Sequence, residues 1–255
     1  MVENALHFDE NSEIYNNVRP GYPQEIYETI SKHIILNKNS RILEIGAGNG
    51  IASQEIYNNW QSNMVLLEPG GKLYELLYRR FKNNKDIEVR NEYFEQYEST
   101  YLFDGIISAT AFHWLDPSVK YKKSYNFLKD NGLLIIYWNN YGIENREIEK
   151  NIQKVYNKYG NGINDGKSTY ERQMEKIESR KTEILDSNLF CIIEHKIIKN
   201  VLEYTSKNYI NLLKTFPDHL KMEKGFFEEI KEIIKNDGNK IKVRIFINLE
   251  IAKKK

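Results

Sequence analysis

The sequence predicts an α/β fold built on a mostly parallel sheet, and three observations predict it. Short β-rich apolar runs alternate with longer stretches of helical spacing, the order expected when helices cover both faces of a parallel sheet. The stretch RILEIGAGNG at 41–50 runs an apolar strand into glycines at alternate positions, as where a strand meets a loop that lets a ligand touch bare backbone. Near the end, KIKVRIFINLEIA alternates like an antiparallel strand with one wetter face.

In chain order, strands are expected at about 41–46, 63–67, 86–91, 102–109 and 132–138, with helices at about 50–59, 70–82 and 117–128 between them. Asp116 supplies an N-cap and Pro117 the first helical position of the third helix, and Asn131-Gly132 predicts a tight turn before the fifth strand. After Trp138 the rhythm changes. Residues 143–184 are polar and helical in pattern, interrupted by YGNGINDG at 159–166. Strands return at about 190–200 and 240–251, separated by the helical stretches TSKNYINLLKTF and FFEEIKEIIKN. No internal repeat is present, and Lys253, Lys254 and Lys255 read as a solvated tail.

At 255 residues the chain has ample material for one large core. Its formal charge of +1, with both signs interspersed, gives no basic face for nucleic acid or an anionic membrane, so the expected partner is a small-molecule acceptor. A single cysteine, Cys191, excludes an internal disulfide framework and a cysteine-based zinc site. The five histidines have no metal-ligand spacing, and no metal is expected. MVENALHFDENSEIYNN has no basic start or apolar core, so no signal peptide is expected, and no apolar run reaches bilayer length; the expected compartment is the cytoplasm.

The glycine loop narrows the ligand. A dinucleotide fingerprint needs a small residue at its sixth place, where this sequence has Ile51. It also has an acid, Glu44, inside an otherwise apolar strand, awkward beside a pyrophosphate but suited to a cationic ligand. The combination LEIGAGNG at 43–50 with Glu68 at the end of the next strand resembles the class I S-adenosylmethionine-dependent methyltransferases. NNVRPGYP at 16–23, FEQYE at 94–98, FDGIISATAFHWLDP at 103–117 and YINLLKTFPDH at 209–219 are similar to one subgroup, the trans-aconitate methyltransferases and their bacterial relatives.

That resemblance implies S-adenosylmethionine as cofactor and a Rossmann-like, seven-stranded, mostly parallel sheet with an antiparallel last strand. It implies that Gly46, Ala47, Gly48 and Gly50 admit the methionine part of the cofactor, with Glu44 organising the loop. Glu68 would accept both ribose hydroxyls, against the alternative that it caps the helix beginning near Gly70. Where many class I enzymes carry Asp-Ala for adenine, this chain has Tyr93 and Phe94. Adenine would then rest on aromatic surface against the Phe94 amide, with Glu95 open to its amine and the Phe94 ring equally readable as core. Ala109 and Thr110 would let the transferable methyl approach. Tyr15 and Arg19 would close over the cofactor, Arg19 alternatively stabilising its own turn. Trp114 and His219 are substrate candidates, with a buried structural anchor as the favoured alternative for Trp114. His113 is the one catalytic candidate, with orientation of the loop or substrate as the competing role.

The resulting expectation is one methyltransferase domain: a cofactor-covering segment at 1–40, a core at 41–138, a helical insertion or lid at 139–189 and C-terminal strands and helices at 190–255. The expected reaction is methylation of a small molecule, with a carboxylate as one acceptor candidate. The alternatives are an NAD-linked oxidoreductase, disfavoured by Ile51 and Glu44, and a non-catalytic cofactor-binding protein.

Overall fold

The computed structural model describes residues 18–160, 162, 167–219 and 221–255. After helix α1 (Gln24–Ile30) come β1 (Arg41–Ile45), α2 (Ile51–Trp60), β2 (Asn63–Leu67), α3 (Gly71–Phe81), β3 (Ile87–Arg90) and β4 (Phe103–Ala109). A 3-10 turn at Phe112–Trp114 leads into α4 (Pro117–Phe127) and β5 (Leu128–Ile143). Then follow α5 (Arg146–Lys158), α6 (Thr169–Asp186), β6 (Phe190–Thr205), α7 (Ser206–Lys214), a second 3-10 turn at Pro217–His219, α8 (Lys224–Asn236) and β7 (Lys240–Lys254).

The seven strands form one sheet in the order β3-β2-β1-β4-β5-β7-β6. β1 pairs in parallel with both β2 and β4, which puts the strand-order reversal at the carboxyl end of β1, where open α/β sheets bind ligands. β7 runs antiparallel to β5 and β6, as expected, but without the expected wetter face over 245–252, where every residue is buried. Both sheet faces are apolar because each is covered. Ile42, Ile107, Ile135 and Ile245 pack with residues of α1, α2, α5, α7 and α8. Leu43, Ile106, Leu134 and Trp138 pack with residues of α4 and α6 on the other side.

The cap of α4 forms as its sequence dictates: the Asp116 carboxylate accepts the Ser118 amide, and Pro117 occupies the first turn. The turn expected at Asn131-Gly132 does not form. Those residues lie inside β5, where the pairing jumps from Phe103 with Leu128 to Gly105 with Leu133, so the glycine marks an irregular bulge. A β-carbon at Gly132 would come within 2.8 Å of the Phe103 carbonyl, which is why glycine is needed there without any turn. β5, β6 and β7 each run longer than their apolar cores suggested, because mutual pairing carries the ladder through polar residues. Among the described residues no helix is long and apolar enough to cross a membrane.

Candidate cofactor and acceptor site

β1 delivers the glycine loop to the sheet edge, and α2 starts immediately after it. Gly48 has φ +60°, and a β-carbon built there meets nothing within 4 Å, so its open side faces a cavity rather than protein. Gly50 differs: its β-carbon would press on Leu77 and Phe81 of α3, so this glycine serves helix packing. Glu68, only 6% exposed, binds the loop directly. Its Oε2 accepts the Gly48 amide and its Oε1 the Gly70 amide, both at 2.8 Å. The carboxylate therefore ties the loop to the start of α3. A carboxylate oxygen can accept more than one hydrogen bond, and Glu68 lines a cavity against the loop.

A cavity of about 130 Å³ lies against this loop, lined by Gly46, Gly48, Glu68, Ala109, Thr110 and Trp114 among others. Tyr93, Phe94 and Glu95 form its far wall. The Phe94 ring belongs to the core, edge-on to Phe127. One Glu95 oxygen accepts the Asp116 amide at 3.0 Å, so this acid also fixes the loop ahead of α4.

Beneath the loop, Glu44 is fully buried, and neither carboxylate oxygen has a hydrogen-bond partner. Burial pushes its pKa up to about 8, the neighbouring Ser53 hydroxyl lowering it and Glu68 raising it. The hydroxyls of Tyr27, Ser53 and Tyr137 are buried without partners too. A small cavity of about 40 Å³, lined by Arg19, Glu44, Ala47, Gly48 and Asn49, reaches this polar cluster. An unsatisfied buried acid beside a cavity is a place for a cation or a donor.

Thr110 lines all three cavities of this region. It has φ +60°, a conformation that a β-branched residue rarely adopts. Its amide donates to the Tyr137 carbonyl at 2.7 Å, while its hydroxyl accepts the Asn139 amide and bonds the Tyr22 hydroxyl at 3.0 Å. Strain held by several surrounding bonds is typical of functional positions.

Beyond Thr110 opens a larger cavity of about 440 Å³, roofed by α5, α6 and α7 and lined by Arg19, His113, Trp114 and His219. His113 Nδ1 accepts the Trp138 indole N–H at 3.1 Å, which places the ring proton on Nε2. Burial, with Arg180, Lys176 and Lys120 nearby, lowers its pKa to about 3. Such a ring has no free lone pair to take a proton. His219 Nε2 lies 2.6 Å from the Tyr156 hydroxyl, and burial lowers its pKa to about 4. The Arg19 guanidinium packs on Phe216 and donates to the hydroxyl and carbonyl of Thr215, joining the N-terminal turn to the end of α7. Arg172, Lys176 and Arg180 of α6 complete the wall.

Of the residues singled out from sequence, Tyr15 lies outside the described residues. Gly50 packs on α3, and the others line one or more of the three cavities. Sequence reading missed Tyr22, Asn139, Lys176 and Arg180. The only signal for the last two was the four-residue repeat of basic residues along α6.

Comparison with known proteins agrees with this geometry. Residues 23–127 match the family model for ribosomal RNA adenine dimethylase. An uncharacterised methyltransferase of Schizosaccharomyces pombe is 29% identical over 125 residues, 49% of each chain. A methyltransferase candidate of Dictyostelium discoideum is 29% identical over 153 residues, 60% of this chain and 55% of that one. The chain thus spans about half the length of the curated relatives it matches. Among solved structures, a type II methyltransferase candidate from Anaeromyxobacter dehalogenans superposes with a TM-score of 0.64 at 11% identity, covering 92% of this chain and 97% of that one. The MccD protein superposes at 0.54 with 14% identity, covering 91% and 97%.

The family match corrects one expectation. A balanced charge was read as excluding nucleic acid, but the matched model describes an enzyme named for ribosomal RNA. Net charge averages over the surface and says little about one chamber, so the exclusion does not stand. Sheet order, glycine loop and superpositions converge on one conclusion: the chain has the fold of the class I S-adenosylmethionine-dependent methyltransferases.

Proposed function

We propose that the protein transfers a methyl group from S-adenosylmethionine to an acceptor held in the larger cavity. The observation that carries this reading is the loop itself: open space over Gly48, with Glu68 fastened to the same backbone at the cavity wall. The residues fit the cofactor. The Glu68 carboxylate lines the cavity where it would accept the ribose hydroxyls, Tyr93 and Phe94 flank the adenine end, and the orphaned Glu44 suits the ammonium of the methionine part. When bound, the cofactor supplies an electrophilic methyl on a sulfonium whose leaving thioether is neutral.

The protein's own work is then alignment and exclusion of water. Ala109 and Thr110 stand where the cofactor and acceptor cavities meet, and Trp114 borders both. His113 acts here as an Nε2–H donor that orients the acceptor, not as a base. The segment around Arg19 and helices α5 and α6 serve as cover and lid, a role supported by their place on the wall of the larger cavity.

Two acceptor chemistries are supported by different observations. Likeness to the trans-aconitate methyltransferases suits a carboxylate oxygen. The match to the ribosomal RNA adenine dimethylase model suits an adenine amine extruded from RNA, although that match ends at residue 127, ahead of much of the larger cavity. Thermal shift with S-adenosylmethionine, S-adenosylhomocysteine and NAD tests the cofactor, since a ligand at a hundred times its Kd adds about 2.7 kcal/mol. Stabilisation by NAD alone would overturn the reading. Methyl transfer from labelled cofactor to a carboxylic-acid panel and to RNA tests the acceptor.

A further inference from the structure

Two asparagines are buried in the sheet where apolar neighbours would pack without cost. Asn140 on β5 is 3% exposed and Asn248 on β7 is fully buried. They bond each other at 2.9 Å, and both side-chain oxygens receive Nη1 of Arg180, at 2.9 and 3.4 Å. The guanidinium also lies 4.5 Å over the Trp138 ring, whose indole N–H holds His113. A neutral amide pair thus fixes a largely buried cation without cancelling its charge. The acid nearest to it in effect, Glu183, is already paired with Lys120 at 2.6 Å. One turn earlier on α6, Lys176 lines the same cavity, whose wall also carries the acids Glu149 and Asp218, and among the described residues its ammonium makes no direct hydrogen bond or ion pair.

We infer that Arg180, Lys176 and the Nε2–H of His113 form an oxyanion subsite in the acceptor cavity, with Asn140 and Asn248 as its positioning residues. The ligand class is a carboxylate or phosphate group carried by the acceptor. Desolvation lowers the pKa of Arg180, to about 10, with Glu183 opposing, and desolvation and the Arg180 charge lower that of Lys176, with Asp218 opposing, so an anion between the two cations is favoured by both. The inference rests on the methyltransferase reading and adds which part of the acceptor is gripped. A carboxylate is supplied by a small acid, a phosphate by a phosphorylated metabolite or by the RNA backbone.

The test is calorimetry on the full chain saturated with S-adenosylhomocysteine, using citrate, succinate, inorganic phosphate and a short single-stranded RNA as probes. At least one probe should bind. Arg180→Gln and Lys176→Gln should each weaken it tenfold or more while S-adenosylhomocysteine affinity stays within twofold. Asn248→Asp keeps the oxygen that accepts from Asn140 and Arg180 and removes an amide nitrogen that has no partner, while neutralising Arg180, so anion binding should fall at least tenfold with S-adenosylhomocysteine affinity unchanged. Binding of S-adenosylhomocysteine with no probe bound, or probe affinity unchanged in Arg180→Gln and Lys176→Gln, overturns the subsite alone. Failure of S-adenosylhomocysteine to bind overturns the underlying reading. Binding of RNA alone assigns the anion to a backbone phosphate; binding of the acids alone assigns it to a carboxylate.

Discussion

Glu44→Gln is the most informative single change, because the buried acid links folding, pH and cofactor affinity. Its pKa stands at about 8, against an ordinary 4.5, because burial penalises the carboxylate. The folded state therefore holds the proton more tightly than the unfolded chain. Below about pH 4.5 both states are protonated and the acid costs nothing. As pH rises towards 8 the unfolded chain ionises first, and stability falls until both states are ionised. At 1.36 kcal/mol per pH unit, a shift of about three and a half units makes that fall roughly 5 kcal/mol at most. That is a large share of the 5–15 kcal/mol typical of a domain. Glutamine keeps the shape, can bond the nearby Tyr27 and Ser53 hydroxyls, and does not titrate. Urea unfolding of both proteins at half-unit steps from pH 5 to 9 should show the variant gaining several kcal/mol relative to the wild type across that range. Parallel curves would refute the argument. With S-adenosylmethionine the sign reverses. The cofactor's ammonium favours the carboxylate, so wild-type affinity should rise towards pH 8 with proton release. Calorimetry in two buffers of different ionisation enthalpy reads that proton directly, and identical heats would place the ammonium elsewhere.

Three further outcomes are expected. Glu68→Ala should weaken cofactor binding by about 1.5–3 kcal/mol and also lower the melting temperature, since the carboxylate holds the Gly48 and Gly70 amides; calorimetry showing unchanged affinity would leave it a purely structural tie. Gly48→Val should abolish cofactor binding and cost roughly 1–2 kcal/mol through its positive φ, while circular dichroism stays native; tight retained binding of S-adenosylhomocysteine would displace the cofactor from this loop. Turnover should show no inflection from His113, whose pKa of about 3 keeps it neutral between pH 5 and 8, and His113→Gln should mainly raise the acceptor's KM; loss of a neutral-pH inflection in that variant would make the histidine a base after all.

The cofactor half of this molecule was legible because its signals are local. A strand ending in alternate glycines, an acid after the next strand and a proline-capped helix each announce themselves within a few residues, and parallel order follows from their alternation. Local signals also misled. Asn131-Gly132 has turn chemistry, but the same pair serves a bulge when a neighbouring carbonyl crowds the backbone, and only the pairing with Phe103 distinguishes them. The acceptor chamber was nearly unreadable. Arg172, Lys176 and Arg180 recur at helical spacing, as charges on any solvated face do. The role of Arg180 emerges only when β5 and β7, whose Asn140 and Asn248 are 108 residues apart, bring Trp138, Asn140 and Asn248 against it.

That contrast has a physical origin in how the two sites are made. The cofactor loop uses backbone amides and the absence of side chains, so its requirements fall on a short contiguous stretch. The acceptor cavity uses side-chain charge drawn from α6, β5, β7 and the turn after β4. The ribosomal RNA adenine dimethylase match stops at residue 127, on the near side of that division. Likeness in the first half thus reports how a methyl donor is held and carries little about what receives the methyl. The two halves meet at Thr110, whose strained backbone is pinned by Tyr22 before the loop and by Tyr137 and Asn139 after it. Thr110 thereby stands fixed where the cavity against the loop meets the larger one. On the proposed reading, selection of the acceptor falls to the later strands and α6, and its alignment with the donor to the strained turn at Thr110.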